Sequence, residues 1–94
     1  METRIIFRTH SLQRMFQRKI SVAEVKSVVS AGKMIENYPQ DLPYPSKLVL
    51  GYSNERPLHV VYSENFGSKE IIIITVYEPD SNLWEDNYSR RKAK

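Results

Sequence analysis

Two groups of residues in this 94-residue chain have the side-chain types that acid–base and phosphate chemistry requires. The first is His10, Arg14 and Arg18. Their i, i+4, i+8 spacing sets an imidazole and two guanidiniums along one side of a helix, where they can hold phosphates. The plainer alternative is a solvated basic face, with Arg18 favoured near the helix C-terminus by the helix dipole. The second group is His59, Tyr77 and Lys47, with Glu78 next to Tyr77. Cleaving RNA without a metal needs a base for the 2′-hydroxyl, an acid for the leaving oxygen and cations on the phosphate. Tyr77 and Glu78 are neighbours in a strand pattern, so they point to opposite faces and cannot both serve. The plainer alternative for His59 is a hydrogen-bonded structural histidine. There is no cysteine, and two histidines far apart do not form a metal-ligand pattern. HExxH, P-loop, GxGxxG, EF-hand and GxSxG patterns are absent, so neither a metal nor a cofactor is expected.

The elements that must position these residues follow from periodicity. Arg4 to Arg8 alternates around Ile5, Ile6 and Phe7 as a short strand. Leu12, Met15 and Phe16 give Ser11 to Arg18 a helical stripe. Ser21-Val22-Ala23-Glu24 is a capping box that opens a second helix at 22–31, and Gly32 is expected to close it in the left-handed conformation. Strand patterns then run over Lys33–Tyr38, Lys47–Ser53, Pro57–Ser63 and Glu70–Tyr77, with a proline-rich loop from Pro39 to Ser46. A three-residue turn at Asn54-Glu55-Arg56 sets Tyr52 opposite Leu58, Gly51 opposite His59 and Leu50 opposite Val60. Leu48, Leu50, Tyr52, Leu58, Val60 and Tyr62 then share the face under the helices, while Lys47, Val49, Gly51, His59, Val61 and Ser63 share the other. Ile71 to Ile74 is apolar on both faces, so the second face also needs a cover. The candidates are Leu83 and Trp84, in a helical turn over Ser81–Tyr88, a second copy, or a partner protein. The fold class is α+β: two N-terminal helices on one face of a four- to five-stranded antiparallel sheet.

The length fits one domain over 1–94, with a flexible basic tail from about 89. The net charge of +3 is concentrated at the two ends, a bias that suits a polyanion such as RNA, although for a charge this modest a solvated surface with a frayed basic tail is the slightly better explanation. The N-terminus lacks the apolar core of a signal peptide, and no apolar run reaches the roughly 20 residues of a membrane span. A cytoplasmic location without membrane association is therefore expected.

Thr9-His10-Ser11-Leu12-Gln13-Arg14-Met15, followed by Arg18-Lys19-Ile20-Ser21, resembles the HAxxRMxxRxIS opening of a prokaryotic domain-of-unknown-function family. The resemblance continues through Gly32, Tyr38-Pro39 to Pro43, Gly51, Arg56-Pro57-Leu58-His59-Val60-Val61 and Ile74-Thr75-Val76-Tyr77-Glu78-Pro79-Asp80, and it ends with Trp84. Ser11 departs from the usual Ala. That family is similar to the RelE-like superfamily, which groups barnase, EndoU, colicin and RelE nuclease domains. The likeness implies helices on an antiparallel sheet and a metal-independent endoribonuclease of toxin–antitoxin type, partnered by a small antitoxin. It carries over to His10, Arg14, Arg18, His59 and Tyr77. On this reading His59 or Tyr77 handles protons, and Arg14 and Arg18 hold phosphate. The alternative is a non-catalytic module that binds protein or RNA, or pairs as a homodimer, through the second sheet face.

Overall fold

The computed structural model describes residues 4–42, 44–65 and 67–93. Met1–Thr3, Pro43, Phe66 and Lys94 lie outside the described residues, and with them the N-terminal leader reading, one proline of the stiff loop and part of the turn before the last long strand. The elements run β1 (Arg4–Phe7), α1 (Thr9–Gln17), α2 (Val22–Ala31), β2 (Lys33–Tyr38), β3 (Ser46–Ser53), β4 (Arg56–Asn65), β5 (Glu70–Tyr77), β6 (Trp84–Glu85) and β7 (Arg90–Arg91). The first five strands form one sheet in the order β1-β5-β4-β3-β2, and β6 and β7 form a separate hairpin. The sheet is mixed rather than antiparallel, because β1 runs parallel to β5. The two helices carry the chain from one edge of the sheet to the other, and the meander β2 to β5 then returns it alongside β1. No described helix is long and apolar enough to cross a membrane.

Local chemistry accounts for the helix ends. At α2 both capping-box bonds are present: Glu24 N–H donates to Ser21 Oγ at 3.1 Å, and Ser21 N–H donates to Glu24 Oε1 at 2.9 Å. The left-handed C-terminal residue lies on the other helix. Lys19 has φ 58° and closes α1, with Ile20 N–H donating to Met15 O at 2.9 Å and Lys19 N–H donating to Phe16 O at 3.2 Å. Gly32 is instead extended, with φ −75° and ψ 170°. Glycine suits that position for lack of space: an added Cβ would lie 2.5 Å from Val28 O and 2.8 Å from Leu50 O.

The β3–β4 hairpin turns on two residues, not three. Asn54 and Glu55 both have positive φ, and Ser53 pairs with Arg56. The register therefore moves by one residue from the expected pairing. Gly51 sits opposite Leu58, Val49 opposite Val60 and Leu50 opposite His59. Val49, Gly51, Leu58, Val60 and Tyr62 face the helices, and Leu48, Leu50, Tyr52 and His59 face away. The core under the helices joins Met15, Ile20, Val25 and Val28 to Val49, Leu58, Val60, Ile73 and Val76.

Asn tolerates the left-handed region and Glu does not, so Glu55→Gly should stabilise the hairpin by about 1 kcal/mol, read as a rise in denaturant midpoint at unchanged slope. Gly32→Ala forces a backbone shift and should cost about 2–3 kcal/mol by the same measurement. A neutral result would mean that α2 and β3 have slack between them.

Candidate functional site

The second face of the sheet holds the closest-knit polar group. His59 on β4 is opposite Tyr77 on β5, and both point away from the helices. Tyr77 reaches that face because β5 carries a bulge. Val61 pairs with Thr75, but Tyr62 pairs with Ile73, so Ile74 is an extra residue and the side-chain alternation shifts past it. Val76 then enters the core beside Ile73, and Tyr77 joins His59. The helix side secures the bulge. Ser11 Oγ lies 3.0 Å from Ile73 O and 3.1 Å from Ile74 O, and Arg18 donates from Nη1 to Val76 O at 2.6 Å. These carbonyls lie where β1 ends, so α1 supplies donors that no strand provides there.

His59 is fully buried, and both its ring nitrogens have partners. Nδ1 lies 3.2 Å from the Tyr77 hydroxyl, and Nε2 lies 2.8 Å from the Tyr88 carbonyl. A carbonyl only accepts, so Nε2 carries the ring proton and Nδ1 accepts from the phenol. Burial pushes the His59 pKa below the ordinary imidazole value, and the Tyr88 carbonyl opposes that shift. Burial also raises the Tyr77 pKa, with a smaller rise from Tyr38 and a reduction from the Arg91 charge. The pair is therefore neutral, a phenol donating to an imidazole whose other nitrogen is anchored.

The C-terminal segment covers this pair. The expected helical turn over Ser81–Tyr88 is only a short turn, in which Leu83 and Trp84 N–H both donate to Asp80 O, followed by the β6–β7 hairpin. Arg90, in the segment expected as a basic tail, pairs with Glu85 at 2.5 Å and Asp86 at 3.1 Å and closes that hairpin. Trp84 is buried edge-on against His59, with ring centroids 4.4 Å apart, and the Arg91 guanidinium lies 5.7 Å from the Trp84 ring centroid. Asp86, Asn87 and Tyr88 all have positive φ, a strained run that is held by His59 on Tyr88 O and by Tyr52 Oη on Asn87 O at 3.1 Å. Of the two residues expected to cover this face, Trp84 does so and Leu83 stays exposed.

The remaining candidates lie elsewhere. Lys47 was placed beside His59 by the three-residue turn, but the true register puts it on the opposite face, where it pairs with Glu64 at 2.6 Å. His10 and Arg14 are exposed on α1, on the helix side of the sheet. Arg18 is partly buried and its Nη1 is committed to β5. Glu78 pairs with Arg56 at 2.8 Å. Sequence reasoning missed two contributors, Arg56 and Arg91. Arg56 donates to the carbonyls of Arg18 and Lys19, both at 2.8 Å, and so ties the end of α1 to β4 and to Glu78. Its place in the Arg56-Pro57-Leu58-His59-Val60-Val61 stretch of the family resemblance was a signal, but it named no role. Among the described residues no three His, Asp or Glu side chains gather as metal ligands.

A histidine buried neutral makes folding pH-dependent with a definite sign. The unfolded chain takes up its proton at about pH 6.5, above the folded value, so the contribution is present above that pH and lost as pH falls below it. The melting temperature should drop from about pH 6.5 downward, and His59→Gln should flatten that acid limb. Superimposable profiles would mean that protonated His59 is accommodated without cost.

No curated protein and no solved structure matches the chain. A family model does match: it takes in residues 7–78, from the end of β1 to the residue after β5, and stops short of the β6–β7 hairpin. The chain belongs to the family described as Domain of unknown function (DUF4258).

Proposed function

We propose that this chain is a metal-independent endoribonuclease of the RelE-like, toxin–antitoxin kind, working through Tyr77 and His59. The observation that carries this reading is the hydrogen-bond chain from the Tyr77 hydroxyl through His59 to the Tyr88 carbonyl. It has the form of a reacting hydroxyl, a base and a group that orients the base. As Tyr77 takes the proton of an RNA 2′-hydroxyl, its own proton passes to His59 Nδ1. The 2′-oxygen then attacks the adjacent phosphorus, the 5′-oxygen leaves and takes a proton from water, and a 2′,3′-cyclic phosphate remains. The His59 proton then returns to the Tyr77 oxygen as Tyr77 gives the proton it took from the 2′-hydroxyl to the hydroxide left by that water. The neutral state favoured by burial leaves His59 able to accept that proton. Arg91, whose charge already acts on Tyr77, is the cation nearest in role to a phosphate clamp. On this reading that role is not given to Arg14, which is exposed on α1, to Arg18, whose Nη1 is bonded to Val76 O, or to Lys47, which pairs with Glu64. The partners on this reading are RNA and a small antitoxin protein.

A second reading, a non-catalytic module binding RNA or protein through the second face, is favoured by the packing of Trp84 against His59. A partly enclosed depression of about 180 Å³ lies beside Tyr44, Ile72 and Ile74 on that face.

The test is cleavage of mixed RNA in excess chelator, by wild type and by Tyr77→Phe, which removes only the hydroxyl. Wild type should release fragments ending in 2′,3′-cyclic phosphate, and Tyr77→Phe should be slower by about 100-fold or more. Failure of folded, antitoxin-free wild type to cleave would leave the binding module as the better reading. Equal cleavage by both would place the chemistry away from Tyr77.

A further inference from the structure

The depression of about 180 Å³ on the second face is built from two parts of the fold. Its floor is Ile72 and Ile74 of β5, with Ser63 of β4 beside them. Ile74 is the bulge residue and is 44% exposed, so an apolar surface is left bare there. The loop between β2 and β3 supplies the wall. Tyr44 stands on it, and the Tyr44 hydroxyl accepts from Asn65 Nδ2 at 3.1 Å, which holds the ring in place. Asp41 is held as well: its N–H donates to Tyr38 O at 3.3 Å, and Ser46 Oγ donates to its Oδ2. Pro39 and Pro45 flank these residues and stiffen the loop. The wall is therefore fixed before anything enters the cavity.

Size and lining restrict the occupant. A volume of about 180 Å³ is well under the roughly 300 Å³ at which pockets for larger ligands begin, so it takes a single ring system. One aromatic ring and two isoleucines offer a planar guest apolar surfaces to lie against. Ser46 occupies Asp41 Oδ2, which leaves Oδ1 to accept from an N–H on the guest. Arg8 borders the same depression and has no ion-pair partner among the described residues. A flat ring with N–H donors on its edge and an attached negative charge is a nucleotide. A peptide end matches the two charges but leaves the stacking surface unused. Position agrees with this. Ile74 precedes Tyr77 by three residues on β5, about 10 Å at strand spacing and within reach of a neighbouring nucleotide. Tyr38 lies between the two, since the Asp41 charge acts on Tyr38 and Tyr38 acts on Tyr77.

We propose that this depression is a nucleobase subsite, which takes the base next to the Tyr77 position in a single strand of RNA and prefers bases with an exocyclic amino group. The base lies between the Tyr44 ring and the Ile72–Ile74 floor, its amino group donates to Asp41 Oδ1, and Arg8 meets the attached phosphate. Uracil has a carbonyl oxygen where cytosine has its amino group, and a carbonyl facing a carboxylate has no hydrogen to share. The proposal rests on the reading of this face as one that meets RNA, but binding at the subsite does not require cleavage.

Chemical-shift titration of the isotope-labelled whole protein with cytidine monophosphate, uridine monophosphate and ribose 5-phosphate tests this, with RNA cleavage assayed alongside. The cytidine nucleotide should shift the amides of Tyr44, Ser63, Ile72 and Ile74 and bind about threefold or more tighter than the uridine one, with ribose 5-phosphate weakest. Tyr44→Ala should weaken the cytidine nucleotide by about fivefold or more, and Arg8→Gln should weaken all three ligands alike. Asp41→Asn should bring the two nucleotides level, because an amide both donates and accepts. Arg8, Asp41 and Tyr44 are exposed, so these variants should melt close to wild type, which separates lost binding from lost folding. Shifts and preference as expected in a protein that cleaves no RNA uphold the subsite and count against the ribonuclease reading alone. No shift at these residues, with or without cleavage, overturns the subsite. So does equal binding of the three ligands, or a preference for cytidine that survives Asp41→Asn.

Discussion

The bulge at Ile74 is the constraint on which the rest of this structure turns. A regular β5 would place Ile71, Ile73, Thr75 and Tyr77 on one face, which would send Tyr77 toward the helices and Val76 away from the core. One inserted residue reverses both. The bulge also exposes backbone carbonyls at the point where β1 has ended, and Ser11 and Arg18 reach them from α1. The same irregularity therefore seats the first helix on one face and brings Tyr77 to His59 on the other. Arg18, whose type suggested phosphate binding, is drawn into this structural work because an unpaired carbonyl at the sheet edge is costly to leave without a donor.

His59 shows how a polar residue is kept inside a small domain. A buried imidazole with an unmet nitrogen would cost about 1–3 kcal/mol. Both nitrogens are met, one by Tyr77 and one by the Tyr88 carbonyl. The second bond also restrains the C-terminal hairpin, whose Asp86-Asn87-Tyr88 backbone lies in a region that Asn and Asp tolerate and Tyr does not. Trp84 completes the enclosure. This cover lies beyond the segment that defines the family match, so the core domain and the group that closes its second face are distinct stretches of chain.

The two sides of the sheet thus have different characters. One carries a neutral, enclosed acid–base pair with aromatic neighbours. The other carries two helices, with unpaired cations and an exposed phenylalanine on the first of them. Arg56 links the helix junction to the sheet. Its guanidinium meets two carbonyls at the end of α1 and the Glu78 carboxylate, with Glu24 Oε2 4.0 Å away. A charge with that many neighbours holds one geometry, as a planar fork with several donors allows.

Much of the fold was legible because it rests on local chemistry. The capping box predicted the start of α2, and alternation located β2 to β5. Reading Gly32 as a left-handed cap failed because a glycine can answer either a torsional need or a spatial one, and sequence does not distinguish them. The left-handed residue was Lys19. The parallel placement of β1 was not legible, since an edge strand's neighbour is chosen by the return path of the whole meander. The candidate site was legible in its residue types and only partly in its geometry. His59 and Tyr77 do meet, but Lys47 leaves them because the hairpin turns on two residues instead of three. A strand's side-chain period is two, so a change of one residue at a turn or a bulge exchanges its faces. By itself, the sequence determined which segments are helix or strand and which side chains have the chemistry. The tertiary structure alone decided which of those side chains face one another, because one-residue shifts are set by packing across strands distant in sequence.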